Sequence, residues 1–410
     1  MNKKLNITKS LKRNNKRYSV KKKTKIKEIN CKNFDNKLTG KSNKLDLLGE
    51  GSYGIAFLGC LDQLCEESIG VKFLVLKKKY DFNHSHPGIV EVLVGKKLSN
   101  LYYKNITPHI NLVYKGFTCT LKDIAKSPTL NKSSWYLDKI KDSSFNKNCY
   151  KQVMVIFNEK ADTDFKKYVI ERYENGNPLS DLEHLACLFQ FCYTIACAQF
   201  HIPGFRHNDI KPNNLLISLN KAVKNTYDVY KIFGLTFYLP TLDFTLKLHD
   251  FDFCNSDEFP NQKIHSYKET IFKQIGATPF NNPVYDLHEY INFYYRDLDY
   301  TFKNQSTYNL FKKLVPASAF GQNNTHTNRY KLTNIKETEL LDNLSDEERY
   351  NYIPNDMHTP SELILSFTKF KDFKKPKGEF TIANTYVSNI PSLNNQELQG
   401  RTDMFNIMLK

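Results

Sequence analysis

The sequence predicts an α+β protein in two parts, a small sheet-rich first part and a larger helical second part. Three observations predict it. Short apolar runs bounded by turn residues crowd the chain before Lys160: Leu45 to Leu48, Ile55 to Leu58, Ser68 to Leu76, Asn111 to Phe117 and Gln152 to Asn158 read as strands. One helix interrupts them, opened by Pro87 and running to about Leu98. Beyond them the pattern turns helical: Leu182, Leu185, Ala186, Phe189, Tyr193, Ala196 and Phe200 recur at helical spacing. That run starts at Ser180-Asp181-Leu182-Glu183, where the Ser and Glu side chains can satisfy orphan amides at a helix start. Thr359-Pro360-Ser361-Glu362 repeats the device near the C-terminus.

A chain of 410 residues with 40% hydrophobic and 13% aromatic content can bury one large core or two modest ones. Its charge of +16 is unevenly placed. Residues 1–44 hold 16 Lys or Arg against Glu28 and Asp35, a net of +14, whereas the remainder carries 43 basic and 41 acidic residues. A run so charged and so poor in apolar residues cannot offset its ordering entropy, so residues 1–44 read as a basic disordered leader. Such a leader suits contact with nucleic acid or an anionic membrane, where each Lys adds about 1 kcal/mol near an acidic surface. A solvated tail explains it equally well. No stretch is apolar for long enough to be a transmembrane segment, and the leader does not have the form of a signal peptide. Residues 118–149, rich in Lys, Ser and Asn, read as an insertion. Nine Cys residues without a C-x-x-C pair predict free thiols in a reducing, cytoplasmic setting.

Four clusters carry chemistry. Gly49-Glu50-Gly51-Ser52-Tyr53-Gly54 lies between two strands, and glycines so spaced let backbone amides approach phosphates. An ordinary hairpin would use similar residues. Lys72 ends the apolar run Ile69-Gly70-Val71, 23 residues after Gly49, where it would lie beneath that turn and reach the phosphates. A buried cation needs a counter-charge, and Glu91 on the following helix is the candidate, although a surface carboxylate is the plainer reading of Glu91 alone. Next, Arg206-His207-Asn208-Asp209-Ile210-Lys211-Pro212-Asn213-Asn214 places Asp209, Lys211 and Asn214 on one loop: a base, a cation and an amide oxygen for a metal. Finally Leu246-Lys247-Leu248-His249-Asp250-Phe251-Asp252 ends a strand with a hard oxygen ligand suited to Mg²⁺. A surface loop could gather any one set by chance; four in this order make a phosphoryl-transfer site.

These clusters resemble the signature set of eukaryotic-type protein kinases, G-x-G-x-x-G, V-A-I-K, H-R-D-L-K-x-x-N and D-F-G, from about Leu45 to Phe367. The resemblance implies a two-lobed fold, with a sheet-rich N-lobe over 45–159, a helical C-lobe over 160–373 and a C-terminal tail over 374–410. It implies ATP and Mg²⁺ as cofactors and protein substrates phosphorylated on Ser or Thr. Leu48, Gly49, Glu50, Gly51, Ser52, Tyr53, Gly54, Ile55 and Ala56 would form the nucleotide-binding loop, with Lys72 and Glu91 as its ion pair. Asp209 and Lys211 would be catalytic, Asn214 and Asp250 the metal ligands. Asn158 to Ala161 would form the hinge that meets adenine, and Asp286, in Val284-Tyr285-Asp286-Leu287, would anchor the catalytic loop.

The departures are specific. Asp-Phe-Asp replaces Asp-Phe-Gly, Asn208 replaces an arginine, and no A-P-E motif follows. In these the chain resembles the serine/threonine kinases of large cytoplasmic DNA viruses, the poxviral virion kinase and giant-virus relatives, which implies action in the host cytoplasm or virion. With Asn208 in place of that arginine there is no guanidinium to partner a phosphate on Thr278, so activity is expected not to need one. Asp252 is expected to stiffen its segment or to add a metal ligand. A small-molecule kinase of the choline or aminoglycoside type, or a catalytically silent scaffold, would share much of this pattern.

Overall fold

Alternating apolar residues build a five-stranded antiparallel sheet with Ser68–Lys77 as its central strand. The computed structural model describes residues 26–38, 45–50, 54–127, 147–221, 223–265, 277, 282–314 and 358–391. They fall into two units, Met1–Ser99 with Asn111–Ala161, and Asn100–Ile110 with Asp162–Lys410. The first unit holds β1 (Asp46–Glu50), β2 (Gly54–Cys60), β3 (Ser68–Lys77), helix α1 (Pro87–Tyr103) as far as Ser99, β4 (Val113–Thr120), α2 (Leu121–Lys126) and β5 (Cys149–Glu159). Along β3, Ile69, Val71, Phe73 and Val75 enter one core with Phe57 of β2 and Val153, Val155 and Phe157 of β5. Lys72 alternates to the opposite face, where Ala56 is its cross-strand partner. The predicted strands all form, and α1 runs one turn beyond its predicted end.

That core has a cover that corrects, for residues 26–38, the expectation of a disordered leader over 1–44. Residues 26–38 fold onto the sheet, with Ile26, Ile29, Phe34 and Leu38 at most 1% exposed. The Phe34 ring meets the Phe73 ring edge-on at 6.2 Å. Lys115 on β4 donates to the Lys27 and Ile29 carbonyls at 2.7 Å each. Cys31 is joined to Cys119, and Cys60 to Cys65, so the expectation of free thiols holds for Cys149, Cys187, Cys192, Cys197 and Cys254 only. Averaging charge over 44 positions concealed four apolar side chains that the sheet could bury. Of the insertion, 118–120 complete β4, and α2 is capped by Thr120, which accepts from the Asp123 amide at 3.1 Å. Most of the rest, Trp135 included, lies outside the described residues.

The second unit has β6 (Thr163–Asp164), α3 (Phe165–Glu174), α4 (Asp181–His201), β7 (Leu215–Leu219), β8 (Thr226–Ile232), β9 (Leu235–Pro240), β10 (Phe244–Leu248), α5 (Gln262–His265), α6 (Tyr285–Leu298), α7 (Gln305–Lys312), α8 (Pro360–Ser366) and β11 (Thr381–Val387). Both predicted capping boxes are formed, at Ser180 and at Thr359. Helix α4 is the central element, buried continuously from His184 to Ala198. This unit is less purely helical than expected. Two three-stranded sheets lie in it, β10-β7-β6 and β11-β8-β9. Residues 374–410 were read as a tail, yet β11 pairs parallel with β8, Tyr386 packs on Tyr230 at 5.2 Å, and the Val387 amide donates to the Asn105 carbonyl at 3.1 Å. Apolar and polar residues mix along 381–387, so no periodicity announced a strand. No helix among the described residues is long and apolar enough to cross a membrane.

Two consequences are measurable. Phe34→Ala removes the largest side chain of the cover and is expected to cost about 3–5 kcal/mol in denaturant unfolding; a wild-type midpoint would show that 26–38 does not pack on the sheet. Burial holds the His109 ring, bonded to the Leu246 carbonyl at 2.8 Å and the Tyr230 hydroxyl at 2.9 Å, down to about 3. Its unfolded form protonates near 6.5, so stability is whole above that pH and falls as pH drops towards 3. His109→Gln is therefore expected to flatten the loss of unfolding free energy between pH 6.5 and pH 5 by about 1.4 kcal/mol per unit, read from urea titrations at each pH.

Candidate functional site

In the first unit the glycine turn joins β1 to β2, and its two described glycines differ in kind. A Cβ on Gly54 would collide with the Phe73 carbonyl oxygen, so packing demands glycine there. Among the described residues nothing lies within 4 Å of the corresponding position at Gly49. Leu48 and Glu50 on β1 are exposed, and Ala56 sits on the Lys72 face. Ile55 does not join them: its side chain is 1% exposed in the core with Phe57 and Phe73, so only its backbone can belong to the loop. Gly51, Ser52 and Tyr53 lie outside the described residues.

Lys72 and Glu91 meet as the spacing predicted, with the ammonium 2.8 Å from a Glu91 carboxylate that is 2% exposed. The helix bearing Glu91 starts at Pro87, behind His86, whose ring nitrogen Nδ1 accepts from the Gly88 amide at 3.1 Å. Burial lowers the His86 pKa, which favours the neutral ring that this acceptor role requires. Asn158 and Glu159, the start of the expected hinge, end β5, and the Glu159 amide donates to the Leu112 carbonyl at 2.7 Å.

In the second unit, α4 delivers the chain through Gly204, at φ +68 and against Asp257, into the loop 205–214. Asp286 accepts from the amides of His207 at 2.8 Å and Asn208 at 3.0 Å. Glu289, one turn along α6, accepts from the Ile210 amide at 2.8 Å and the Tyr285 hydroxyl at 3.2 Å. Burial raises the pKa of both carboxyls, that of Glu289 well above the usual range, with Asp209's charge adding to it. Asn208 adopts φ 61, a left-handed conformation that asparagine tolerates better than most residues.

Asp209, Lys211 and Asn214 form one hydrogen-bonded cluster. The Lys211 ammonium donates to Asp209 at 2.8 Å, and the Asn214 amide nitrogen donates to the same oxygen at 2.7 Å. Burial pulls the Lys211 pKa down, yet Asp209, with smaller contributions from Asp250 and Asp252, holds it above its usual value. With its nitrogen on Asp209, Asn214 has its side-chain oxygen as the atom by which it could bind a cation. The register Leu248↔Leu215 between β10 and β7 continues into a bond from the His249 amide to the Asn214 carbonyl at 3.1 Å, so Asp250 follows directly. An amide oxygen and a carboxylate oxygen are hard donors and fit Mg²⁺, which takes few protein ligands beside phosphate and water. Among the described residues no group of three or more His, Cys, Asp or Glu forms a metal cage.

Asp252 is engaged elsewhere: its carboxylate lies 2.6 Å from the Lys263 ammonium. Sequence reading passed over Lys263, Asn261 and Glu289, since none stands in a recognisable motif. Thr278 lies outside the described residues.

No family model matches the chain. It is 26% identical over 223 residues to "Putative serine/threonine-protein kinase R400" of Acanthamoeba polyphaga mimivirus, covering 51% of this chain and 45% of that protein. It is 26% identical over 306 residues to "Putative serine/threonine-protein kinase R301" of the same virus, covering 65% of this chain and 74% of the relative. A plant protein, "Cell division control protein 2 homolog D" of Antirrhinum majus, is 25% identical over 174 residues, 42% of this chain and 44% of its own. The chain thus spans less than half of the first relative's length. These matches imply a kinase fold and relate the chain to the protein kinase superfamily. Within it, the relatives include proteins of a giant virus.

The contrast between the two glycines is testable. Gly54→Ala is expected to destabilise by about 1–3 kcal/mol through overpacking against a backbone oxygen. Gly49→Ala is expected to stay within about 0.5 kcal/mol of wild type. Thermal or urea unfolding measures both, and equal effects would contradict the distinction.

Proposed function

We propose that this chain is a serine/threonine protein kinase, encoded by a large DNA virus, that moves the γ-phosphate of ATP to protein hydroxyls. The two units correspond in this reading to the small and large lobes of a kinase. The observation that carries it is the hydrogen-bonded set Asp209, Lys211 and Asn214, on a loop pinned by Asp286, with Asp250 just past β10, the strand that pairs with β7. The names of the viral relatives support the same reaction and the same origin, and with it action in the host cytoplasm or the virion.

Each residue has a role. Lys72, fixed by Glu91, holds the α- and β-phosphates, and the backbone of 48–56 covers them. Asp209 orients the acceptor hydroxyl and takes its proton as the oxygen bonds to the γ-phosphorus. The bond from that phosphorus to the β–γ bridging oxygen breaks, and ADP leaves. Lys211 steadies the transferring group. Asn214 and Asp250 would hold Mg²⁺, which when bound would offset the charge on the phosphate oxygens.

Turnover of ATP by the purified chain, with casein or with choline as acceptor, tests the substrate class. Phosphate on serine or threonine of casein is expected; choline phosphate would favour a small-molecule kinase. Asp209→Ala is expected to lower kcat by at least about 100-fold while leaving ATP affinity within about threefold. Unchanged turnover in Asp209→Ala would contradict the assignment of the base.

A further inference from the structure

The residue that departs most plainly from the family's pattern, Asp252, has a partner that the reaction as described leaves unused. Lys263 on α5 places its ammonium 2.6 Å from the Asp252 carboxylate and 3.1 Å from the centre of the Phe253 ring. The Lys263 side chain is 4% exposed and that of Asp252 12%. An ammonium brought this far out of water needs such partners, because its desolvation is costly.

The surrounding bonds converge on the same few residues. The Asn261 side chain donates to the carbonyls of Asp252 at 2.9 Å and Cys254 at 2.8 Å. Asn208, from the loop that carries Asp209, donates to the Phe253 carbonyl at 3.0 Å. His207 meets the His249 carbonyl at 2.8 Å, which fixes the proton on its Nε2. Three consecutive carbonyls, 252 to 254, are therefore held by side-chain amides, and the side chain of the first is held by a buried cation. Asp250 enters this braced turn at φ 66, in the left-handed region that aspartate adopts more readily than most residues.

We propose that Lys263 is a positioning residue for phosphoryl transfer: its ion pair with Asp252 locks the turn that follows Asp250 and so holds the metal-binding carboxylate in one orientation. The inference rests on the kinase reading above. Asp252 is then the anchor of Lys263, whose ammonium lies 2.6 Å from one of its carboxylate oxygens. Together the two side chains replace a flexible glycine by a charged clasp.

The test uses the full chain as wild type, Lys263→Met, Asp252→Asn, the double variant and Lys263→Arg. Backbone hydrogen exchange without nucleotide is expected to speed up about tenfold or more at 251–254 in Lys263→Met and in Asp252→Asn, with protection in α4 and β10 unchanged. In turnover assays each single variant is expected to lose about tenfold in kcat, with KM for the protein acceptor within about twofold. The double variant is expected to be no worse than either single one, and Lys263→Arg to keep about half of the wild-type rate. If Lys263→Met does not fold, Asp252→Asn carries the same comparison. Wild-type exchange at 251–254 in both variants, losses that multiply in the double variant, or a loss confined to Asp252→Asn would overturn the inference. A wild-type chain without turnover would overturn the kinase reading instead.

Discussion

Two carboxylates buried on one turn of α6 hold the backbone of the loop that carries Asp209. Asp286 takes the amides of His207 and Asn208, and Glu289 takes that of Ile210. Neither carboxyl is reachable by water in any useful degree, at 0% and 2% exposure. Removing either would strand buried backbone donors, each worth about 1–3 kcal/mol when left unsatisfied. The geometry of Asp209, Lys211 and Asn214 follows, because a loop fixed at 207, 208 and 210 has few ways left to place 209, 211 and 214. In the first unit a carboxylate at 2% exposure, Glu91, fixes the side chain of Lys72.

Charge around the loop of the second unit is arranged in pairs. Asp209 is answered by Lys211 and Asp252 by Lys263. Under the proposed function Asp250 would be a ligand of the divalent ion. An extra aspartate beside a metal ligand would by itself alter how strongly the site draws cations. The buried ammonium of Lys263 cancels that charge at close range, where screening by water is weak.

Legibility in the sequence followed the reach of each interaction. The capping boxes at Ser180 and Thr359 were readable because their partners stand three residues apart. Lys72 and Glu91 were readable because a strand and the next helix fix their separation. Asp209, Lys211 and Asn214 share one loop and were read together. The misses involve partners far apart in the chain or apolar residues hidden by composition. Ile26, Ile29, Phe34 and Leu38 were masked by surrounding lysines, although the sheet buries all four. β11 pairs with β8 across some 150 residues, with register from Thr381↔Thr226 to Val387↔Lys231, and no local pattern specifies such a partner. Ile55 was assigned to the nucleotide loop by its neighbours, while strand alternation sends its side chain to the core.

Asn214 and Asp250 are the pair proposed to receive the divalent ion beside Asp209. Anomalous diffraction from crystals grown with Mn²⁺ and a non-hydrolysable ATP analogue addresses that claim directly. A manganese peak bonded to the Asn214 side-chain oxygen and to the Asp250 carboxylate, at about 2.0–2.2 Å as for hard oxygen ligands, is the expected result. A peak on Asp252 with Lys263 displaced, or manganese bound only by the nucleotide, would contradict it.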